Sequence, residues 1–314
     1  MNAPLISGWV TRLSSGFYTV ETAQGVVTCQ MRGRLKRGRG AGDVISVGDQ
    51  VEILVNQDGT GRIDEIHPRV RALVRMDPRP RGQYRQIMIA NIDQIVLVFA
   101  CADPFPNLRM LDRFLVIAEK QGIPAQIVAN KVIPAQIVAN KVDLTGLKDA
   151  REIFGIYPKL GYPVLYTSVQ EKRGLDKFQA LIQGRISGLA GPSGVGKSSL
   201  LNAIQPELGL AVREVSELTA KGKHTTNVRQ LFALTSGGYV ADLPGLRSLA
   251  LWDTQPEELD GYFPELRDLV MECQFNDCTH TDEPGCAVVA AVEAGTVEVS
   301  RYDSYLRMRY KDSE

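Results

Sequence analysis

Asn140-Lys141-Val142-Asp143 precedes Gly191-Pro192-Ser193-Gly194-Val195-Gly196-Lys197-Ser198 in this chain of 314 residues. The later stretch is a G-x-x-x-x-G-K-[ST] phosphate loop. The earlier one is an NKxD pattern, which reads guanine and which an ordinary GTPase carries far downstream of its phosphate loop. The inverted order predicts an α/β P-loop GTPase domain whose elements are circularly permuted.

The surroundings of the phosphate loop fit that reading. Residues 185–190 read as a short strand and 198–204 as the start of a helix. Between them, glycines let backbone N–H groups curl toward phosphate oxygens at the positive end of the helix dipole. Lys197 is expected to reach the β- and γ-phosphates and Ser198 to offer a hydroxyl to Mg²⁺. In the NKxD pattern, Asp143 can accept two hydrogen bonds from guanine N1–H and its 2-amino group, a pair that adenine lacks. Asn140 and Lys141 would brace the loop and cover the base, with Val142 between them and the acid. Taken alone, these four residues also fit a plain turn at a strand end. They gain weight from the apolar residues 135–139 before them.

Asp242-Leu243-Pro244-Gly245 follows the strand-like 238–241 and fits a DxxG switch, with Asp242 holding Mg²⁺ through water and the Gly245 amide meeting the γ-phosphate. A Pro-Gly turn is the simpler alternative. Between loop and switch, Lys221-Gly222-Lys223-His224-Thr225-Thr226 offers threonine hydroxyls to the Mg²⁺ shell. Thr167 and Ser168 sit downstream of NKxD, where a backbone N–H can meet guanine O6.

Three of the five cysteines and one of the three histidines cluster as Cys273, Cys278, His280 and Cys286. Three thiolates and an imidazole make a closed tetrahedral set, the usual structural zinc site; buried free thiols or a disulfide are the alternatives. Cys29 and Cys101 lie in strand-like runs and read as small core residues. Five short alternating segments, 9–13, 17–21, 26–31, 50–55 and 62–66, predict a small barrel of the OB type. A basic run, Arg32, Arg34, Lys36, Arg37 and Arg39, reads as a phosphate-binding loop on that barrel or as a merely solvated one.

These motifs, from Gly191 through Ser198 and Ser199 to the C-terminal cysteines, resemble the RsgA (YjeQ/YloQ) family of small ribosomal subunit biogenesis GTPases over nearly the whole chain. The resemblance implies an N-terminal OB-fold barrel, a permuted GTPase domain and a mainly helical zinc-binding domain. Expected bounds are 1–70 for the barrel, 71–86 for a linker, 87–255 for the GTPase domain and 256–314 for the zinc domain. It implies GTP and GDP, Mg²⁺ and one structural Zn²⁺, contact with rRNA in late maturation of the small subunit, and hydrolysis stimulated by that subunit. Hydrolysis is expected to release the protein itself or an assembly factor. Leu246 stands where many GTPases place the water-orienting glutamine, and the resemblance offers His224 instead. Three departures are visible: Val169 in place of a small Ala after Ser168, which would crowd guanine slightly, Asn227 in place of a third Thr, both tolerable, and an exact repeat of residues 123–132 as 133–142.

Zero net charge leaves the total silent on nucleic acid. The chain lacks an apolar run long enough for a bilayer and a signal-peptide pattern, so a monomeric cytoplasmic protein is expected. Asn107 should cap a helix ending at Gly122, and 288–310 should be helical with a basic face. A nucleotide-gated rRNA scaffold with negligible hydrolysis stays open; a small-molecule kinase is disfavoured by the NKxD pattern. The decapeptide IPAQIVANKV occurs twice, at 123–132 and 133–142. Only the second copy continues into Asp143, so it is expected to supply the strand.

Overall fold

The computed structural model describes residues 4–36, 44–76, 85–122, 135–210, 230–243 and 254–310. Its first strands, β1 (Ile6–Ser14), β2 (Phe17–Thr22), β3 (Gly25–Met31), β4 (Gln50–Val55) and β5 (Gly61–Ile66), close a barrel in the order β1-β2-β3-β5-β4. Alternation puts Val10, Val20, Cys29, Val51, Ile53 and Ile63 inside it, all fully buried. This is the expected OB-type barrel. The basic run is only partly described. Gly33–Lys36 is a single helical turn, and the Arg32 guanidinium lies 2.5 Å from Asp64.

The segment read as a linker contains structure. Strand β6 (Ala72–Met76) pairs antiparallel with β7 (Arg85–Ala90). Leu73, fully buried in the main core, anchors this hairpin. A turn at Asn91, whose φ is 52°, then separates β7 from β8 (Gln94–Ala100).

From β8 the chain builds a sheet with β9 (Ala135–Asn140), β10 (Val164–Tyr166), β11 (Ile186–Ala190), β12 (Phe232–Ala233) and β13 (Tyr239–Asp242), in the order β10-β9-β8-β11-β13-β12. All neighbours are parallel except the edge pair β12 and β13. Every residue of β8 is buried. Its Ile95, Leu97 and Phe99 enter one core with the helix Leu108–Gly122, while Val96, Val98 and Ala100 enter another beneath the helices Leu175–Ile182 and Lys197–Ile204. A strand covered on both faces reads as a near-continuous apolar run, which is why β8 shows no alternation; its one polar residue, Gln94, is buried but donates to Leu181 O (2.8 Å) and Ser187 Oγ (2.9 Å). The second copy of the decapeptide supplies β9; the first lies outside the described residues.

The barrel meets the sheet edge where Leu231 N donates to Thr11 O (2.8 Å) and Trp9 packs on Tyr239 at 6.4 Å. The C-terminal region is helical, ending in helices Ala287–Glu293 and Val299–Tyr310. It docks on helix Leu108–Gly122 through a buried ionic network. Arg301 Nη1 lies 2.7 Å from Asp112 Oδ1 and Arg301 Nε lies 2.6 Å from Glu265 Oε1, and the guanidinium sits 4.6 Å over the Phe263 ring. The expected basic face on 288–310 is therefore corrected. Arg301 and Arg309 are buried, and Arg307 pairs with Asp303 one turn away. Among the described residues no helix is long and apolar enough to cross a membrane.

Candidate nucleotide site and metal centre

Strands β9, β10, β11 and β13 all end at one edge of the sheet, the carboxyl edge at which open α/β sheets bind ligands. At the end of β11 the chain turns through Gly191, Pro192, Ser193, Gly194, Val195 and Gly196 into the helix that carries Lys197, Ser198 and Ser199. Two of these glycines are dictated by close approach. At Gly191 (φ 153°) a Cβ would stand 2.0 Å from Val98 O, and at Gly196 (φ 93°) it would stand 2.5 Å from Asn140 Nδ2. Val195 buries its side chain in the core, and Lys197 Nζ donates to Gly191 O and Pro192 O, each at 3.0 Å.

Asn140 is buried at the end of β9 and spans two loops. Its Nδ2 donates to Val195 O (2.9 Å), and its Oδ1 accepts from Thr167 Oγ1 (3.0 Å). The base-reading loop is thereby tied to the phosphate loop. Lys141 adopts the left-handed conformation (φ 59°) and its ammonium reaches Asp103 O, a partner that no motif marks. Asp143 Oδ1 accepts from Ser168 Oγ at 2.5 Å, and that hydroxyl in turn accepts from Glu171 N (3.0 Å). Val142 is buried, and its N–H donates to Thr167 O (3.2 Å). Val169, the residue after Ser168, packs against the core around Phe178 and Leu200.

Asp242 ends β13 directly opposite Leu189 of β11. The protein packed around its carboxyl pushes it above the ordinary range, against the pull of the Lys197 ammonium. A carboxylate so placed gains from a nearby cation. His224, Thr225, Thr226 and Gly245 lie outside the described residues.

In the C-terminal region the ligand atoms of Cys273, Cys278, His280 and Cys286 all lie within 4.8 Å of one another. His280 Nδ1 is 3.6 Å from Cys273 Sγ and 3.5 Å from Cys286 Sγ. A tetrahedral zinc with ordinary Zn–N and Zn–S bonds separates those atoms by about 3.5 Å. Burial pushes the Cys278 thiol up to about 12, so a cation is what would keep it a thiolate. Burial acts the same way on Cys286, but the Val289 N–H and His280 hold it below its ordinary value. Cys286 caps helix Ala287–Glu293, accepting from Val289 N at 3.4 Å. The donor set and its spacing fit zinc.

A phosphate loop downstream of its guanine-reading motif, on a parallel sheet between an OB-type barrel and a helical Cys/His module, defines a circularly permuted P-loop GTPase. The RsgA GTPase family model matches residues 66–252, and the RsgA N-terminal domain model matches 7–63. The small ribosomal subunit biogenesis GTPase RsgA of Gemmatimonas aurantiaca is 43% identical over 307 residues, covering 96% of both chains. The crystal structure of YjeQ from Thermotoga maritima matches at a TM-score of 0.76 and 36% identity, covering 98% of both chains. That of YloQ, a circularly permuted GTPase, matches at 0.73 and 33% identity, covering 99% of this chain and 96% of that one. This chain belongs to the RsgA GTPase family.

Proposed function

We propose that this protein hydrolyses GTP while bound to the small ribosomal subunit late in its maturation, and that hydrolysis releases the protein itself or a neighbouring assembly factor. The observation that carries the reading is the Asn140–Val195 hydrogen bond, which sets a guanine-selective loop and a phosphate loop at one edge of the sheet of an RsgA family member. Asp143, held by Ser168, accepts from guanine N1–H and the 2-amino group, and the Thr167–Ser168 backbone faces O6. Lys197 trades its loop carbonyls for β- and γ-phosphate oxygens. Ser198, Thr225, Thr226 and, through water, Asp242 would hold Mg²⁺, which would supply positive charge beside those oxygens, and the Gly245 amide would meet the γ-phosphate. His224 orients the attacking water in place of the glutamine that Leu246 replaces.

The barrel and the C-terminal module are proposed to contact rRNA, with one zinc held by Cys273, Cys278, His280 and Cys286, and the protein acts as a cytoplasmic monomer. The name carried by its relatives and the fit of the Cys/His cluster support this reading. GTP turnover with and without small subunits tests it. Stimulation by subunits is expected, with His224→Ala retaining GTP binding and losing on the order of 10²-fold of the stimulated rate. Turnover that stays negligible on subunits, with nucleotide-dependent binding intact, would make the protein a gated rRNA scaffold instead.

A further inference from the structure

The Cys/His cluster has a protein partner beyond its four candidate ligands. His280 is fully buried and directs Nδ1 at the sulfurs of Cys273 and Cys286. Its other nitrogen, Nε2, faces away from them and lies 3.2 Å from Asp260 Oδ2. A neutral imidazole that offers the Nδ1 lone pair to a metal carries its proton on Nε2. In a ring with no exposed surface that proton needs a protein acceptor, because an unpaired buried donor forfeits its full desolvation energy. Asp260 supplies the oxygen that lies there.

Two further observations fit a ring held in one pose. The His280 backbone is left-handed, with φ 62°, a conformation that a non-glycine residue keeps only when its surroundings enforce it. Tyr302 OH donates to His280 O at 2.5 Å, fixing the backbone, while Asp260 fixes the ring. Asp260 is itself held, since its Oδ1 accepts from Gly261 N at 2.7 Å. It belongs to the 3₁₀ turn Asp260–Tyr262, well upstream of the cluster, so the ligand spacing gives no hint of it.

We infer that Asp260 is the positioning residue of the metal centre: it accepts the Nε2 proton of His280, selects Nδ1 as the ligating atom, and ties the turn Asp260–Tyr262 to the bound ion. This rests on the zinc reading above. It also makes the centre a brace for the stretch by which the chain enters its C-terminal module, beyond a fastening of the module's own loops.

The test uses the full-length zinc-loaded protein with ¹⁵N-labelled histidine. Ring-nitrogen NMR should show His280 bound to the metal through Nδ1, with a slowly exchanging proton on Nε2. In Asp260→Ala that proton should exchange faster, and competition with a chromogenic chelator should show zinc held about 10- to 100-fold more weakly. Asp260→Asn, whose amide oxygen can accept the same proton, should recover most of that loss. A role confined to capping Gly261 would change neither the ring tautomer nor proton exchange. Coordination through Nε2 in the wild type overturns the inference, as does an Asp260→Ala protein that binds zinc within about threefold of wild type. If Asp260→Ala fails to fold, the wild-type tautomer and the Asp260→Asn affinity decide the matter. A wild-type protein that binds no zinc overturns the zinc reading and this inference with it.

Discussion

Arg301→Met would cut the ionic link between the C-terminal module and the GTPase core while leaving most of the side chain's apolar bulk in place. Arg301 is 1% exposed and stands between Asp112 and Glu265, whose side chains are 3% and 7% exposed. Without it, two buried carboxylates lose their cation, a loss that costs about 3–5 kcal/mol where one partner of a buried pair is removed. Asp112 would keep donors from Ser304 Oγ at 2.5 Å and Tyr157 OH at 2.9 Å, which places the expectation toward the lower end. Burial pushes the Asp112 carboxyl up and Arg301 opposes that push. In the variant only the Ser304 and Tyr157 hydrogen bonds still oppose that push, so the folded state takes up a proton more readily than the unfolded one. Its stability therefore falls as pH rises through the raised value, and the deficit should shrink at about pH 5 relative to about pH 8. Asp112→Asn in the same chain should recover part of the loss, giving a coupling of about 1–3 kcal/mol. A chain of several domains need not unfold in one step, so the assay is amide hydrogen exchange of helix Val299–Tyr310 alongside urea unfolding. A cost below about 1 kcal/mol, equal at both pH values, would refute the reasoning, because it would mean that the network is not desolvated.

Three further outcomes are expected. Asp143→Asn should weaken GTP far more than xanthosine triphosphate, whose carbonyl at the 2-position an amide can complement; equal losses in a binding titration would remove Asp143 from the guanine site. Glu283 accepts from the Thr279 hydroxyl and from Thr279 N (2.7 Å) and Thr281 N (2.9 Å), which hold its carboxyl near 2 against an ordinary 4.5. Its contribution is complete above that ordinary value and lost as pH falls toward 2, so the melting gap between wild type and Glu283→Gln should close over that window; a gap independent of pH would contradict it. Deleting one copy of the duplicated decapeptide should give a chain that binds GTP at least as tightly and melts no lower, and a deletion chain unable to bind guanine nucleotide would show the repeat to be integral.

Sequence periodicity and motif chemistry located most of the scaffold because each followed from a local constraint. Asn107 announces its helix, and its Oδ1 accepts from Met110 N at 3.0 Å, the cap its position calls for. The barrel strands show inward alternation that only a one-sided core would impose. The β6–β7 hairpin was hidden because prolines and arginines surround the few apolar residues that hold it, and Leu73 reveals its role only through what it touches. Arg301 and Arg309 read as a basic face because charge is normally solvated, and nothing in their spacing shows that Arg301 meets Asp112 across the interface and Glu265 within its own module, or that Arg309 donates to Pro256 O. At the nucleotide edge the sequence names Asn140, but its link to Val195 is a long-range contact that a motif cannot contain. The same holds for the grip of Lys141 on Asp103 O.

The order of the sheet has a mechanical side. The barrel and hairpin lead into the amino end of β8, the chain departs toward the C-terminal module from the carboxyl end of β13, and β11 lies between those two strands. A tug between the two flanking regions would therefore run along the strands, pulling β8 and β13 in opposite directions past the strand that carries the phosphate loop. In that geometry the slanted hydrogen bonds of both parallel ladders resist together, where peeling would break them one by one. The phosphate loop thus leaves the one strand that both ladders hold between them.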